Sequence, residues 1–541
     1  MTIQTQQEKE VGEPSVVDSQ QTELSLEPNG EHEPWKPDTR VKKALCAQAF
    51  CVFIISLDMT ILTATLPTVA HALGANATES FWIAASYLLA NAVCQPTMAA
   101  LAEAFGRQAM FLGSVGVFTV GSIACATAPS VVTMLAGRTI QGIGGGGIIS
   151  VNLIILSDFV PLRQRSKYQG LIQLVFALGT NIAPIIGGAV VDSSWRWIFY
   201  INLPFCAVGL VIVPLFLRYE EEVTPMREKL RSFDWIGSAS MVVSSTLFLV
   251  GMSWGGNRHS WRSSAVLVPI IAGLEGMLLT FFFERHVAKN PFLRLSIFQH
   301  WSGIVVTLCT VIQGYLLFAM TYYLVIYLMA CQLYSPILAG TGLLPFAMTV
   351  VPVSGVTGSL ITRIGRYRWS IWSGWSLSVM GLGLLVLLGP GTHPAAWVFV
   401  FMCAGAGQGL LLIGHSVAIQ ASCKTKDAAY AVSMYSFARS FGLCLGVILG
   451  GTIFQNFLRV RLGNDGLPRI IATTFEAYIP ILQALSSESS LKMQLREAYA
   501  WALKMLFATS TGVGFFGLLL SLTIGDYTLD TAFIPEHSLR K

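Results

Sequence analysis

Two short stretches of this sequence repeat each other. Residues 99–107 read Ala-Ala-Leu-Ala-Glu-Ala-Phe-Gly-Arg, and residues 358–366 read Gly-Ser-Leu-Ile-Thr-Arg-Ile-Gly-Arg. They share Leu, Gly and Arg at the same spacing, 259 positions apart. A second pair, Gln-Gly at 141–142 and again at 408–409, has a similar offset. Repeats at similar offsets indicate duplication, so we predict a fold made of two homologous halves.

The composition indicates a membrane protein. Of the 541 residues, 53% are hydrophobic and only 12% are charged, whereas soluble proteins carry roughly 25% charged residues. The net charge of +5 is small and does not suggest a nucleic-acid-binding surface. The ten cysteines occur singly, so neither a zinc site nor a disulfide framework is indicated. We therefore predict an all-α polytopic membrane protein rather than a soluble enzyme.

The apolar segments can be counted as membrane spans, because each span needs about 20 mostly apolar residues. Fourteen segments qualify. They lie near 44–70, 81–103, 109–128, 131–158, 168–192, 197–217, 234–254, 264–283, 302–330, 336–362, 369–389, 395–418, 430–454 and 501–526. An even number places both termini on one side of the membrane.

The distribution of Lys and Arg predicts which side that is. The loops on the side of the termini carry sixteen Lys and Arg, whereas the short loops on the other side carry only Arg196, Arg258 and Arg262. Cytosolic loops are enriched in basic residues. Both termini are therefore predicted to be cytoplasmic. The sequon that begins at Asn76 then lies in the first external loop and is a candidate glycosylation site.

The repeat and the span count together predict six plus two plus six transmembrane helices. The predicted domains are a disordered acidic cytosolic tail at 1–40, an N-terminal six-helix bundle at 41–217, two inserted transmembrane helices with flanking cytosolic loops at 218–300, a C-terminal six-helix bundle at 301–526 that includes an external loop at 455–500, and a cytosolic tail at 527–541.

Spans one and four carry charged residues within apolar runs. Asp58 lies in Leu-Asp-Met-Thr at 57–60, and Arg138 lies in Leu-Ala-Gly-Arg-Thr-Ile-Gln-Gly-Ile-Gly at 135–144. An ionisable residue inside a span is costly and by default marks an ion or proton pathway. Arg does not release its proton, so Asp58 is the candidate proton carrier and Arg138 the group that influences it. Purely structural interhelical hydrogen bonds are the alternative for both.

Span five contains Gly-Thr-Asn-Ile-Ala-Pro-Ile-Ile-Gly-Gly at 179–188. Pro184 removes a helical hydrogen bond and kinks the helix, while Gly179, Gly187 and Gly188 permit close packing. Such a pliable helix suits a conformational change. A kinked helix without that role is the alternative.

The repeated loops place a Gly-Arg turn at the end of a helix. Gly106 and Arg107 form the first turn, and Gly365 and Arg366 form the second, with Arg363 just before it. A helix can end on Gly while Arg pairs with a carboxylate at a neighbouring helix end. We predict a latch that forms in one conformation and breaks in another. The alternative is that these arginines only set the orientation of the helices in the membrane.

Several polar side chains within the spans are candidates to line a central cavity. Each residue of this type is more often a satisfied interhelical group than a ligand contact. The candidates are Gln141, Asn181, Gln313, Tyr322, Gln408 and Arg439. Glu275, in span eight, ranks below Asp58 as a proton carrier.

From about Val41 to Asp526 these motifs resemble the major facilitator superfamily, in particular the fourteen-span drug:proton antiporter branch and its fungal-type multidrug and toxin efflux pumps. The loop at 99–107 is similar to G-x-L-A-D-R-x-G-R, with Glu103 at the acidic position. Spans one, four and five resemble L-D-x-T-x-x-x-x-A-L-P, L-x-x-x-R-x-x-Q-G-x-G and G-x-x-x-G-P-x-x-G-G. The most specific match is Trp195–Pro204.

The resemblance implies a major facilitator fold and proton-driven export of amphipathic small organic molecules by alternating access. The resemblance implies that Asp58 exchanges the proton and that Arg138 influences how strongly Asp58 holds it. Pro184 and its neighbouring glycines would permit the rocking motion of the helices. The two Gly-Arg loops gate the cytosolic side. The alternative is a proton symporter that imports a nutrient or a chelated metal on the same fold.

The partners implied are a small-molecule substrate, protons and the lipid bilayer, with no nucleic acid, cofactor or metal, and the chain is expected to be a monomer. A plasma-membrane location is expected, with a vacuolar or vesicular membrane as the alternative. The sequence contains no G-x-x-x-x-G-K-[ST] phosphate loop, which argues against ATP-driven transport.

Overall fold

The computed structural model describes residues 37–191, 193–219, 225–256, 259–424, 427–486 and 489–530. The predicted cytosolic tails at 1–40 and 527–541 lie almost entirely outside these residues. The described chain forms eighteen α-helices joined by short connections and contains no β-sheet. The all-α prediction is therefore confirmed for the residues that the structure describes.

The helices follow the order of the predicted spans. The first part contains α1 (Thr39–Leu73), α2 (Ala77–Phe105), α3 (Arg107–Ala126), α4 (Val131–Phe159), α5 (Leu162–Val191), α6 (Trp197–Tyr200) and α7 (Asn202–Phe216). The middle part contains α8 (Met226–Ser232), α9 (Trp235–Trp254) and α10 (Ser264–His286). The last part contains α11 (Trp301–Ile326), α12 (Pro336–Gly342), α13 (Leu344–Ile364), α14 (Arg368–Leu385), α15 (Pro394–Ala421), α16 (Ala428–Asn464), α17 (Phe475–Ala484) and α18 (Ser490–Ser521).

Eleven helical segments of the described chain are long and apolar enough to cross a membrane. Three further helices at predicted span positions, α2, α5 and α14, fall outside that set. They contain 29, 30 and 18 residues, so the first two have the length of a span. The chain is an integral membrane protein, and the count of fourteen spans stays a prediction.

The two parts repeat one packing pattern. In the first part α1 packs against α5 and α7, and α4 packs against α2 and α3. In the last part α11 packs against α16 and α18, and α15 packs against α13 and α14. Gly106 ends α2 with φ 99° and Gly365 ends α13 with φ 73°, conformations that favour glycine. The sequence repeat thus occupies equivalent positions in two groups of helices that pack alike. We call α1–α7 the first bundle and α11–α18 the second bundle.

The two bundles contact each other through equivalent helices. The second span of each bundle packs against the fifth span of the other, so that α2 contacts α16 and α5 contacts α13. We call the end of the molecule that carries the start of α1 and the end of α18 the terminal side, and the other end the opposite side.

The two helices between the bundles form an antiparallel pair at the periphery. Gly273 of α10 approaches Phe248 and Ser244 of α9 so closely that a Cβ at Gly273 would lie 2.5 Å from the Phe248 backbone nitrogen. In turn α9 contacts α2 and α16. Glu275 is exposed on the outer surface of α10, so it is not buried against the bundles.

The connection between α16 and α18 is shorter than the predicted loop at 455–500. The helix α16 continues to Asn464 because Leu458 and Leu462 remain fully buried, and α18 already begins at Ser490. Between them α17 lies across the second bundle, where Phe475 is buried and its backbone oxygen accepts a hydrogen bond from Tyr499. The segment is therefore a packed cap on the opposite side.

Asn76 is exposed at the start of α2. Its side chain accepts a hydrogen bond from the Glu79 backbone, while the Glu79 carboxylate accepts one from the Asn76 backbone. This capping box explains why α2 begins there. Glycosylation of Asn76 stays a prediction.

Candidate functional site

Asp58 lies at the centre of a hydrogen-bonded cluster formed by three helices. Arg138 Nη1, from α4, donates to Asp58 Oδ2 at 2.9 Å. Gln141 Nε2, also from α4, and Asn202 Nδ2, from α7, donate to Asp58 Oδ1 at 2.8 and 2.7 Å. The accessible fraction is 0% for Asp58 and 2% for Arg138. The carboxylate is thus fully enclosed and accepts three hydrogen bonds.

Arg138 also has contacts that do not depend on Asp58. Its Nη1 donates to Gln141 Oε1 at 2.6 Å, and its Nε donates to the Ile83 backbone oxygen at 3.4 Å. The guanidinium carbon lies 4.4 Å from the centre of the Tyr87 ring, a favourable cation–π position. A buried charge without partners is costly. Arg138 therefore has several partners in the protein besides Asp58.

The predicted glycines of α5 allow that helix to approach α1 closely. A Cβ at Gly179 would lie 1.9 Å from Ser56 Oγ, and a Cβ at Gly187 would lie 2.9 Å from Ile61 Cγ1. These contacts fix the segment of α1 that carries Asp58. Pro184 and Gly188 lie within α5, but the surroundings of these two residues are outside the described part of the chain, so the kink stays a prediction.

The two repeated loops differ on the terminal side. Arg107 Nε lies 3.4 Å from Asp158 Oδ2 at the end of α4, so the first loop does pair with a carboxylate. That this pair opens and closes as a latch stays a prediction. The side chains of Arg363 and Arg366 are exposed instead, and neither forms an ion pair with another described residue. In the second loop it is the backbone oxygen of Arg363 that is bound, by Arg163.

A second ion-pair network joins the two bundles on the terminal side. Arg294 follows the inserted helix pair and contacts Glu103 of α2 at 2.5 Å and Asp427, next to α16, at 3.0 Å. Tyr430 of α16 donates a hydrogen bond to Glu103, and its ring lies under the Arg294 guanidinium. We call Glu103, Arg294, Asp427 and Tyr430 the Arg294 network. It connects both bundles through the connection that follows the insert.

The helices α5 and α13 are also in close contact there. Ser166 Oγ donates to the Gly358 backbone oxygen at 2.9 Å, and Thr362 Oγ1 donates to the Arg163 backbone oxygen at 3.0 Å. Further hydrogen bonds between the bundles occur at mid-depth, where Gln95 Nε2 donates to Ser440 Oγ at 2.8 Å. The structure is therefore closed on the terminal side.

The predicted cavity residues fall into different environments. Gln141 is part of the Asp58 cluster, and Asn181 donates to its own helix, at the Ala177 oxygen. Gln313 and Gln408 are fully buried and hydrogen bonded to each other at 3.2 Å. These four side chains therefore have protein partners. Their roles in substrate binding stay predictions.

Tyr322 and Arg439, like Asn181, have partly accessible side chains. Tyr322 donates a hydrogen bond to Glu476, which belongs to the cap helix α17. Desolvation by the surrounding protein raises the pKa of the Glu476 carboxyl above its ordinary value, and the Tyr322 hydrogen bond opposes that rise. Arg439 is half-buried, and its Nε has no hydrogen-bond partner among the described residues.

Sequence reasoning missed Asn202, Asp158, Arg294, Asp427 and Glu476. Asn202 lies in the Trp195–Pro204 match, where it is a polar residue at the start of an apolar span. Of the five, only Asn202 could have been found from the sequence, because a polar residue at the start of an apolar span is unusual. The other four lie at helix ends or in connections, where charged residues are common and carry no signal of their own.

Replacing Arg294 by Gln is expected to loosen the terminal side without abolishing its closure. A partly exposed ion pair contributes up to about 1 kcal/mol, and Arg294 makes two of them. Burial raises the pKa of the nearby Cys423 thiol to about 12, so this thiol should react slowly with maleimide while the terminal side is closed. Peptide mass spectrometry should show Cys423 labelling rise about fivefold or more, relative to the exposed Cys46.

Arg285→Gln is the matched control for this experiment, because Arg285 is exposed at the end of α10 and forms no ion pair with the described residues. Equal labelling of Cys423 in both variants would show that the Arg294 network does not hold the bundles together.

Comparison with known proteins agrees with this architecture. Residues 49–447 match the family described as Major Facilitator Superfamily. The chain is 36% identical to "MFS transporter L2" of a Phoma species, over 100% of this chain and 91% of that protein. It is 33% identical to "MFS-type efflux pump LUC4" of a Fusarium species, over 97% of this chain and 95% of that protein.

Solved structures show the same fold at lower identity. The human organic anion transporter MFSD10 is 14% identical to this chain, with a TM-score of 0.58 over 90% of this chain and 100% of that one. The proton:xylose symporter XylE is 11% identical, with a TM-score of 0.56 over 90% of this chain and 97% of that one. The resemblance inferred from the motifs is confirmed. The chain belongs to the Major Facilitator Superfamily and is a membrane transporter.

Proposed function

We propose that this protein exports amphipathic small organic molecules in exchange for protons. The enclosed Asp58 cluster is the observation that supports the proposal most strongly. Asp58 is fully enclosed in the middle of α1, and an acid at such a position is the expected carrier of a coupled proton. The relatives named as efflux pumps support the direction of transport.

We place the terminal side in the cytosol, because its loops carry the excess of Lys and Arg. The structure then corresponds to the state in which the cytosolic gate is closed. That gate consists of the Arg294 network, the Arg107–Asp158 pair and the contact between α5 and α13. We further propose a fungal plasma membrane as the location.

The proposed cycle uses the protonation of Asp58 as its switch. When Asp58 accepts a proton from the external side, its attraction to Arg138 weakens, and Arg138 relies on Gln141, Ile83 and Tyr87. The segments of α1 and α4 that this ion pair joins are then free to shift. The bundles rock, the cytosolic gate opens, and the cargo enters as the proton leaves. A shift of this kind needs only a difference in proton affinity between the two states.

The experiment is a vesicle assay with the full-length protein, a proton gradient and an amphipathic fluorescent dye. Antiport predicts that addition of the dye dissipates the gradient, as reported by a pH-sensitive probe, and that a protonophore abolishes dye accumulation. Dye that moves in the same direction as the protons would indicate the symport alternative. Accumulation that persists after the protonophore would contradict proton coupling.

A further inference from the structure

Arg439 lies at the middle of the membrane. It lies at the start of the fourth turn of α16, which begins at Ala428 on the cytosolic side. With a rise of 1.5 Å per residue, Arg439 is about 16 Å above the start of the helix. The hydrocarbon core is about 30 Å thick. The guanidinium therefore belongs to the mid-depth of the protein rather than to either membrane surface.

The neighbours of Arg439 show which way it faces. Tyr435 donates to the Leu412 oxygen of α15 in the second bundle, and Ser436 donates to Gln95 of α2 in the first bundle. Successive residues of an α-helix are about 100° apart, so Arg439 projects between these two directions. The outer side of α16 is marked by Phe441, which stacks on Phe248 of the insert. Arg439 therefore faces the seam between the bundles and not the lipid.

No described carboxylate balances this cation. Arg439 is absent from the ion pairs of the described residues, and its Nε is buried without a hydrogen-bond partner. Among the described residues at mid-depth, Asp58 is the one carboxylate, and it accepts hydrogen bonds from Arg138, Gln141 and Asn202. The interior therefore carries one positive charge in excess.

A guanidinium is suited to recognising an anionic group. It offers a planar fork of N–H donors that matches a carboxylate, and it is costly to keep inside a membrane without a partner. A ligand that brings a negative charge would supply the missing partner. Binding of that ligand is then favoured over binding of a neutral or cationic molecule of the same shape.

An aromatic surface continues from Arg439 toward the external side. Gly446, two turns further along α16, packs against Phe318 of α11, and the Phe318 ring stacks on Tyr322 with centroids 6.3 Å apart. Glu476 contacts Tyr322 at the end of this surface. A molecule with an acidic group and an apolar body could place the acidic group at Arg439 and the apolar body against Phe318 and Tyr322. The carboxylate of Glu476 would repel the acidic group near the exit and so favour release.

We propose that Arg439 is the anion-binding group of the transport cavity, and that the cargo is an amphipathic organic acid. This inference rests on the proposed export function and names the substrate class of the same cavity. It assigns the acidic group of the cargo to Arg439 and its apolar body to Phe318 and Tyr322.

The test compares the binding of two dyes that share a xanthene scaffold, anionic fluorescein and a cationic rhodamine ester. Fluorescence anisotropy with the purified full-length protein should show tighter binding of fluorescein. Arg439→Gln should weaken fluorescein binding by roughly tenfold or more, the effect of losing a charge-assisted hydrogen bond. Arg439→Lys keeps the charge and should retain part of the affinity. Binding of the rhodamine ester should not weaken in either variant.

Arg461→Gln is the matched control, because Arg461 lies on the same helix near its external end and pairs with Asp465. It should bind both dyes like the unmodified protein. Two results would overturn the inference: fluorescein binding no tighter than that of the rhodamine ester in the unmodified protein, or equal loss of both dyes in Arg439→Gln. Failure of the proposed function is distinguishable, since it appears as intact dye binding without gradient-driven transport in vesicles.

Discussion

Asp58→Asn is expected to abolish gradient-driven export in vesicles. Asn has nearly the same shape as Asp, but it does not take up and release a proton, so the switch in the cluster is lost. Dye accumulation under an imposed proton gradient should fall to the level of vesicles treated with a protonophore. Exchange of dye down its own gradient, measured without a proton gradient, should persist.

The protein should still fold, and this can be measured separately. The Asn oxygen accepts the hydrogen bonds from Gln141 and Asn202, while Arg138 keeps its contacts with Gln141, Ile83 and Tyr87. We expect a loss of about 1–3 kcal/mol in the free energy of unfolding, seen as a lower melting temperature with near-normal yield. Asp465→Asn, at the end of α16, is the control. Unchanged export in Asp58→Asn would remove Asp58 from the coupling mechanism.

Gly358→Ala is expected to prevent the terminal side from closing. A Cβ at Gly358 would lie 2.3 Å from the Ser166 backbone oxygen and 2.8 Å from the Ser166 carbonyl carbon. Because these are backbone atoms, α5 and α13 have to separate. Overpacking costs about 1–3 kcal/mol, enough to lower the population of the closed state by roughly tenfold or more. Transport should fall by a similar factor, and maleimide labelling of Cys423 should rise.

Gly355 provides a closely matched control on the same helix. It lies one turn before Gly358, and a Cβ at Gly355 would meet nothing within 4 Å. Gly355→Ala should therefore transport like the unmodified protein, although both variants make the same chemical change in α13. Equal transport by the two variants, with equal labelling of Cys423, would show that the contact between α5 and α13 is not part of the gate.

The components of the buried cluster could largely be predicted from the sequence. Asp58 and Arg138 stand out because charged residues are rare in apolar spans, and the cost of burying them requires a partner. The structure brings both together with Gln141. The sequence did not indicate that Gln141 would bind Asp58 rather than line a cavity, because a polar side chain in a span has no direction until its helix is packed.

The contacts that close the terminal side could be predicted only in part. The Gly-Arg repeat pointed to both loop corners, and Arg107 does meet a carboxylate there. Arg294, Glu103 and Asp427 are far apart in the sequence, and each lies among other charged residues at a helix end. In a single sequence these three residues do not differ from ordinary surface charges. Only the packing of three separate segments reveals their contact.

The ends of α16 and α18 show a different limit of prediction from the sequence. Charged residues after Phe454 suggested a loop, but apolar residues one helical turn apart continue to face the second bundle, and the helix follows them. A window that averages hydrophobicity does not distinguish a loop from a helix with one buried stripe. The extent of α16 and α18, and with it the position of Glu476, was therefore visible only in the structure.

The position of Arg294 limits how this protein can be shortened. The two inserted helices look dispensable, because they lie at the periphery and α10 packs mainly against α9. A twelve-helix version made by joining α7 directly to α11 would nevertheless lose the arginine that bridges Glu103 and Asp427, and would leave two neighbouring acids facing each other. Protein engineers who trim the insert should therefore keep residues 291–300 as a tether and remove only the helical hairpin.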